Sequence, residues 1–156
     1  MLSYTHNMKI YLGADHRGYA LKNILREHLT HNGYDIVDLG AKTLETEDDY
    51  PRYAYAVASR VLGEEDGAAL GLLICGSGQG MSMAANRVNG VRAALAWSEA
   101  AAKAAREDDD ANVLVLPANF VDDEAAGSIV DAWLKAEFKA NPKYRRRLDE
   151  LEQLYG

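Results

Sequence analysis

Short apolar runs and stretches of helical periodicity alternate along this chain. Lys9-Ile10-Tyr11-Leu12-Gly13-Ala14 predicts a first strand, and Leu21, Ile24, Leu25 and Leu29 then recur at helical spacing until Asn32-Gly33 stops the pattern. Asp35 to Leu39 predicts a second strand, followed by a polar loop from Gly40 to Asp49. Ala54, Val57 and Val61 line a second helix that Gly63 ends. Leu70 to Ile74 is a nearly unbroken apolar run, the mark of a strand buried on both faces. A glycine-rich turn and a short helix come next, then a strand over Val91 to Ala96. Ser98 is placed to cap an Ala-rich helix. Asn112 to Leu116 predicts a fifth strand ended by Pro117, and Ala126, Ile129, Val130, Trp133, Leu134 and Phe138 mark an amphipathic helix. Beyond Asn141-Pro142, Tyr144, Leu148, Leu151 and Tyr155 carry one more.

Five strands separated by helices predict an α/β fold. Its form is a three-layer α/β/α sandwich around a five-stranded parallel sheet, Rossmann-like, with an added C-terminal helix. The apolar stripe of that last helix either packs back on its own domain or reaches a partner subunit.

Composition narrows the function classes. A chain of 156 residues suits one domain, here residues 8–156, with the polar, unpatterned residues 1–7 as a loose tail. A net charge of −7 speaks against nucleic acid or an anionic membrane as the main partner. No apolar run approaches the roughly 20 residues of a membrane span and no leader pattern opens the chain, so a cytoplasmic location is expected. One cysteine allows neither an internal disulfide nor a thiolate-rich metal site.

Ligands of open parallel sheets bind beyond the carboxyl ends of the strands, and three segments are expected there. Cys75-Gly76-Ser77-Gly78-Gln79-Gly80 has glycines at alternate positions, which lets backbone come close to a ligand and present N–H groups to a phosphate or a developing oxyanion. The same amides favour the Cys75 thiolate, although residue type alone fits a structural buried cysteine equally well. A phosphatase loop would need arginine where Met81 stands, and a Walker loop needs Gly-Lys-Ser/Thr where Gly80-Met81-Ser82 stands. The dinucleotide pattern fails at Met81 too.

Asp15-His16 has the residue types of a proton-handling pair, but adjacent side chains diverge, and capping of the next helix by Asp15 is the favoured reading from residue type. Glu107-Asp108-Asp109-Asp110 fits no calcium pattern and is expected as a helix-end loop with one or two carboxylates facing the strand-end cleft. His28 and His31 are expected to be solvated. Lys143-Tyr144-Arg145-Arg146-Arg147 is the one dense basic cluster, placed at helix N-terminal turns where the macrodipole disfavours cations. Such a placement hints at an anion to be bound.

Seven segments together carry a resemblance. They are Gly13-Ala14-Asp15-His16-Arg17-Gly18, Asp49-Tyr50-Pro51, Ile74 to Gly80, Ala84-Ala85-Asn86-Arg87, Gly90-Val91-Arg92-Ala93, Ala111-Asn112-Val113-Leu114 and Ile129 to Leu134. In that order they resemble type B ribose-5-phosphate isomerases, a family that includes allose-6-phosphate isomerase and the galactose-6-phosphate isomerase subunits. The resemblance implies a metal-free, cofactor-free isomerase of a sugar phosphate, assembled as a homodimer or homotetramer whose active sites are shared between subunits. It makes Cys75 the base that moves a proton between C2 and C1, with the amides of Gly76, Gly78, Gln79 and Gly80 and the Ser77 hydroxyl around the enediolate. It places Asp15 and His16 against the sugar or its phosphate, and Lys143 and Arg147 on the phosphate. Four positions depart from the family's pattern, one of them Lys143, which stands where the family has an arginine. Asp108 and Asp109 replace a ring-opening histidine and an asparagine, and Asn119 replaces an arginine. Asp108 would then be the ring-opening group and Asp109 a substrate contact, which leaves the identity of the sugar open.

Overall fold

The alternation of strand side chains sorts the core into two layers. In the computed structural model, which describes residues 8–65 and 67–156, strands β1 (Lys9–Ala14), β2 (Asp35–Asp38), β3 (Ala69–Cys75), β4 (Ala93–Leu95) and β5 (Val113–Pro117) form one sheet. The expected tail, residues 1–7, lies outside the described residues. Successive side chains of a strand point to opposite faces. Ile10, Leu12, Leu72, Ile74, Leu114 and Leu116 therefore pack under helices α1 (Tyr19–His31) and α5 (Asp123–Lys135), around the fully buried Trp133. Tyr11, Leu73, Cys75, Val113 and Val115 face the other way, under α2 (Tyr50–Gly63) and α3 (Gln79–Ala85). Helix α4 (Glu99–Asp109) adds Ala102 to the first layer. Ser98 caps α4 by accepting from the Ala101 amide at 3.1 Å.

All strand pairs are parallel, in the order β2-β1-β3-β5-β4. Winding leaves β1 in one direction toward β2 and continues from β3 in the other. The gap between the carboxyl ends of β1 and β3 is thus a topological switch point, where such sheets take their ligands. β4 is shorter than its apolar run predicts, because Arg92 donates its amide to the Asn112 side chain instead of extending the ladder.

One buried cation fixes the start of the loop after β2. Lys22, 1% exposed, donates to Asp38 at 2.7 Å and to the Ala41 carbonyl at 3.2 Å. Its stem packs on Gly40, where a Cβ would come within 3.0 Å of it. A second expectation about α1 fails: His28 is half-buried, not solvated. It meets Asp131 of α5 at 2.9 Å, because Leu25 and Leu29 turn this edge of α1 against α5.

Helix α6 (Pro142–Tyr155) begins at Asn141, whose side chain accepts from the Tyr144 amide. None of its residues is fully buried. Leu148 and Leu151 border a cavity of about 260 Å³ against Val91, Arg92 and Asp109, while Leu154 and Tyr155 stay exposed. No helix among the described residues is long and apolar enough to cross a membrane.

Candidate active site

β3 delivers Cys75 to the switch point and its last carbonyls tie the neighbouring segments to it. Ala118 donates to the Cys75 carbonyl and Asn119 to that of Gly76, both at 2.9 Å, while the Asp15 amide reaches the Ile74 carbonyl. Gly18 lies so close to that Ile74 carbonyl that a Cβ would sit 2.5 Å from its oxygen. The turn beyond Cys75 is closed by Gly78 at φ +77°, a left-handed conformation that glycine adopts without strain. Ser77 is exposed, and its hydroxyl accepts from the Gln79 amide.

Cys75 is 5% exposed and belongs to the core layer that holds Met81 and Tyr53. Its surroundings reverse the expectation of a favoured thiolate. Burial pushes the thiol pKa up, the amides of Met81 and Gly78 pull it down, Asp15 adds to the rise and the Ser77 amide opposes it. Burial wins, so the resting side chain is a thiol with a pKa above its ordinary value.

Asp15 and His16 do diverge. Asp15 Oδ1 accepts from the amides of Arg17 and Gly18 at 3.0 and 3.2 Å, organising the turn into α1. The carboxylate that serves His16 is Asp48, from the polar loop between Gly40 and Asp49. Asp48 Oδ1 lies 2.8 Å from both the His16 ring Nδ1 and the His16 amide, and Oδ2 accepts from the Tyr53 hydroxyl at 3.0 Å. Burial raises the Asp48 pKa, but the hydrogen bonds from His16 and Tyr53 outweigh it and leave the pKa below the usual carboxylate value. The same contact, after burial, pushes Tyr53 up to about 12. An ionised carboxylate only accepts, so the His16 Nδ1 carries a proton and donates it to Asp48.

Three further side chains, Tyr50, Arg17 and Asn119, overhang the turn. The Tyr50 ring covers Gly80, where a Cβ would lie 2.5 Å from it. The Arg17 side chain and the Asn119 amide nitrogen both lie against the Cα of Gly76. The Asp49-Tyr50-Pro51 signature was the available signal for this neighbourhood, since Pro51 starts α2 beside the loop that presents Asp48.

The acidic run stands elsewhere. α4 runs antiparallel to the strands and returns the chain to the amino end of β5, so Asp108 and Asp109 do not face the strand-end cleft of their own chain. Val113 pairs with Gly71 and Pro117 with Cys75. The start of β5 is therefore about 13 Å along the sheet from Cys75, at about 3.3 Å per residue, and the run lies beyond that start. Asp110 closes α4 with φ +47° and pairs with Arg106 at 2.7 Å and Arg92 at 3.4 Å. Glu107 pairs with Lys139 at 2.9 Å, and Asp108 adds to the field on that lysine. Lys143 and Arg147 lie on α6, which packs against α4 and whose Leu148 and Leu151 line a cavity with Arg92 and Asp109, so they stand with the acidic run. One chain thus brings together Asp15, His16 and Cys75 to Gly80, and leaves Asp108, Asp109, Lys143 and Arg147 apart from them.

This geometry can hold a small oxygenated anion beside a buried thiol. Among the described residues there is no group of three or more His, Cys, Asp or Glu side chains that could hold a metal ion. Residues 10–151 match the family model described as Ribose/Galactose Isomerase. The chain belongs to the ribose/galactose isomerase family. It is 45% identical over 145 residues to the probable ribose-5-phosphate isomerase B of Mycoplasma genitalium, covering 93% of this chain and 94% of that one. Ribose-5-phosphate isomerase B of Escherichia coli is 40% identical over 144 residues, 92% of this chain and 93% of that one. The crystal structure of the Mycoplasma genitalium enzyme with bound ribulose-5-phosphate superposes with a TM-score of 0.90 at 44% identity, covering 94% of this chain and 95% of that one. The Clostridium thermocellum ribose-5-phosphate isomerase B gives 0.89 at 39% identity, with 94% and 97% covered. The family's isomerase fold is therefore present over nearly the whole chain.

Proposed function

We propose that this chain interconverts ribose 5-phosphate and ribulose 5-phosphate, with Cys75 as the base. The observation that carries this reading is the buried Cys75 thiol on a glycine turn at the switch point, with Asp15 beside it. Full-length similarity to relatives named for that reaction supports the choice of substrate.

In the forward direction the Cys75 thiolate takes the C2 proton of the open-chain aldose. Charge develops on the carbonyl oxygen O1, where the amides of Gly76 to Gly80 stabilise it. A second proton passes from the O2 hydroxyl to O1 through the Ser77 hydroxyl or Asp15. The thiol then returns its proton to C1, leaving the ketose. A raised thiol pKa gives a strongly basic thiolate, which suits a weak carbon acid, but lowers its population at neutral pH. Asp15 Oδ2 has no hydrogen-bond partner among the described residues and is left for a sugar hydroxyl.

Lys143 and Arg147 bind the phosphate, and Asp108 opens the ring, from a second copy of the chain. Their separation from Cys75 within one chain supports an assembly with shared sites, a homodimer or homotetramer. Exposed Leu154 and Tyr155 on α6 support it as well.

The decisive measurement is exchange of solvent deuterium into the substrate by the Cys75→Ala variant. Loss of exchange together with turnover is the expected result, and retained exchange removes Cys75 as the base. A second reading is favoured by Asp108, Asp109 and Asn119, which alter ring opening and phosphate recognition. It makes the substrate another phosphorylated sugar, a tetrose, allose or galactose phosphate, and turnover across such a panel decides between them. Activity of the purified chain alone also excludes a silent subunit that works only beside an active paralogue.

A further inference from the structure

Most arginines with a described environment in this acidic chain are spoken for. Arg26 pairs with Asp38, Arg92 and Arg106 pair with Asp110, and Arg52, Arg60 and Arg145 lie over aromatic rings. Arg17 differs. Its amide is fixed by Asp15, yet its guanidinium has no hydrogen bond or ion pair to any described residue. The residue is exposed, yet its side chain lies back against the turn. Its Cδ lies 2.7 Å, and its Nη1 3.5 Å, from where a Cβ of Gly76 would be. The Asn119 Nδ2 lies 2.9 Å from the same point, and the Asn119 amide is tied to the Gly76 carbonyl. A side chain on residue 76 would collide with both, so glycine there lets Arg17 and Asn119 lie against the backbone of the turn.

The thiol and the guanidinium address the turn from different sides. Cys75 packs into the layer of α2 and α3, whereas Arg17 comes from the segment that leads into α1 and Asn119 from the end of β5. A sugar phosphate has the same polarity, with a reacting carbon at one end and a dianion at the other. Guanidinium, with its planar fork of donors, is the side chain best matched to that dianion.

We propose that Arg17, seconded by the Asn119 amide, grips the phosphate of the substrate over Gly76 from the same chain that supplies Cys75. This rests on the reading of the site as one for a sugar phosphate. Arg17 thereby supplies, beside the glycine turn, a positive charge that Asn119 lacks, and it sets the preference for phosphorylated over free sugars.

The test compares the unaltered chain with Arg17→Gln and Arg17→Lys, with ribose 5-phosphate and free ribose as substrates and inorganic phosphate as a competitive inhibitor. In Arg17→Gln, the KM for ribose 5-phosphate and the inhibition constant of phosphate both rise about tenfold to a hundredfold, the loss expected of one charge-assisted contact. kcat falls far less, and the loss on free ribose is smaller than on the phosphate ester. Arg17→Lys recovers part of the affinity. Asn119→Arg added to Arg17→Gln recovers more, because it returns a guanidinium to the same point over Gly76.

An unchanged KM and inhibition constant in Arg17→Gln would overturn the assignment, as would an equal loss on free ribose or a loss in kcat alone. If the unaltered chain does not turn over ribose 5-phosphate, the proposed function fails by itself. Calorimetric titration with inorganic phosphate then still decides Arg17. Binding that is weakened in Arg17→Gln supports the assignment, and binding that is retained, or absent from the unaltered chain, removes it.

Discussion

The two ends of the sheet are built differently. At the carboxyl end, Cys75, Asp15, Asp48 and His16 are buried or half-buried and locked by backbone amides and by one another. At the amino end, Asp109, Lys143 and Arg147 are exposed, on a helix terminus and on a helix with no fully buried residue. Preorganised groups suit the making and breaking of bonds to carbon, where a misplaced base is ineffective. Charged groups at a surface suit the capture of an anion and the meeting of a second copy. The proposed division of labour follows that contrast, and it can be broken at either end.

The largest effect belongs to the carboxyl end. Cys75→Ala should lower kcat/KM by about 10² to 10⁴, the usual contribution of a positioned base, while Asp108→Asn costs less and spares a tetrose phosphate that forms no stable ring. Equal losses in both variants would erase the contrast. The pH profile comes next. Because the thiol pKa lies above its ordinary value of 9.0, the thiolate fraction, and with it kcat/KM, should rise about tenfold per pH unit from neutrality upward. A plateau starting near neutrality would mean that the base is already ionised there.

Asp48→Asn tests how the carboxyl end is held. Loss of the charge that fixes the His16 tautomer should cost about tenfold in kcat/KM, and an unchanged value would reduce the pair to scaffolding. The smallest effect addresses the amino end. At substrate levels well below the raised KM of Arg147→Ala, where that variant turns over little, mixing it with Cys75→Ala should restore about a quarter of full activity in freely exchanging dimers, since half the dimers are mixed and each of those has one intact site. No recovery would place Arg147 and Cys75 of the same chain in one site.

Much of the fold was legible in the sequence, for physical reasons. Strand β1 matches its expected span, and the buried run of β3 differs from its expectation by one residue at each end, because continuous apolar runs have no competing period. The glycine turn was legible because its backbone needs glycine, as at Gly78. Asp48 was not, since its partnership with His16 depends on β1 and β2 being neighbours, and strand order is not written in local pattern. Asp108 and Asp109 were misplaced for a simpler reason. A segment that precedes a parallel strand lies at that strand's amino end, whatever its composition. The thiolate expectation failed because exposed amides and burial act in opposite senses, and only packing shows which is larger.

The buried contact of Lys22 with Asp38 and the Ala41 carbonyl fixes where the loop after β2 departs. The bonds of Asp48 to His16 and Tyr53 fix where it arrives. Between these anchors residues 42–47 are all exposed. The span is thus a cassette whose ends are welded and whose middle is interchangeable. Doubling its length would cost only about 0.6 kcal/mol in closure entropy. New sequence can be spliced beside the mouth of the site without shifting the imidazole behind it, which makes this loop the cheapest place on the chain to alter what the site admits.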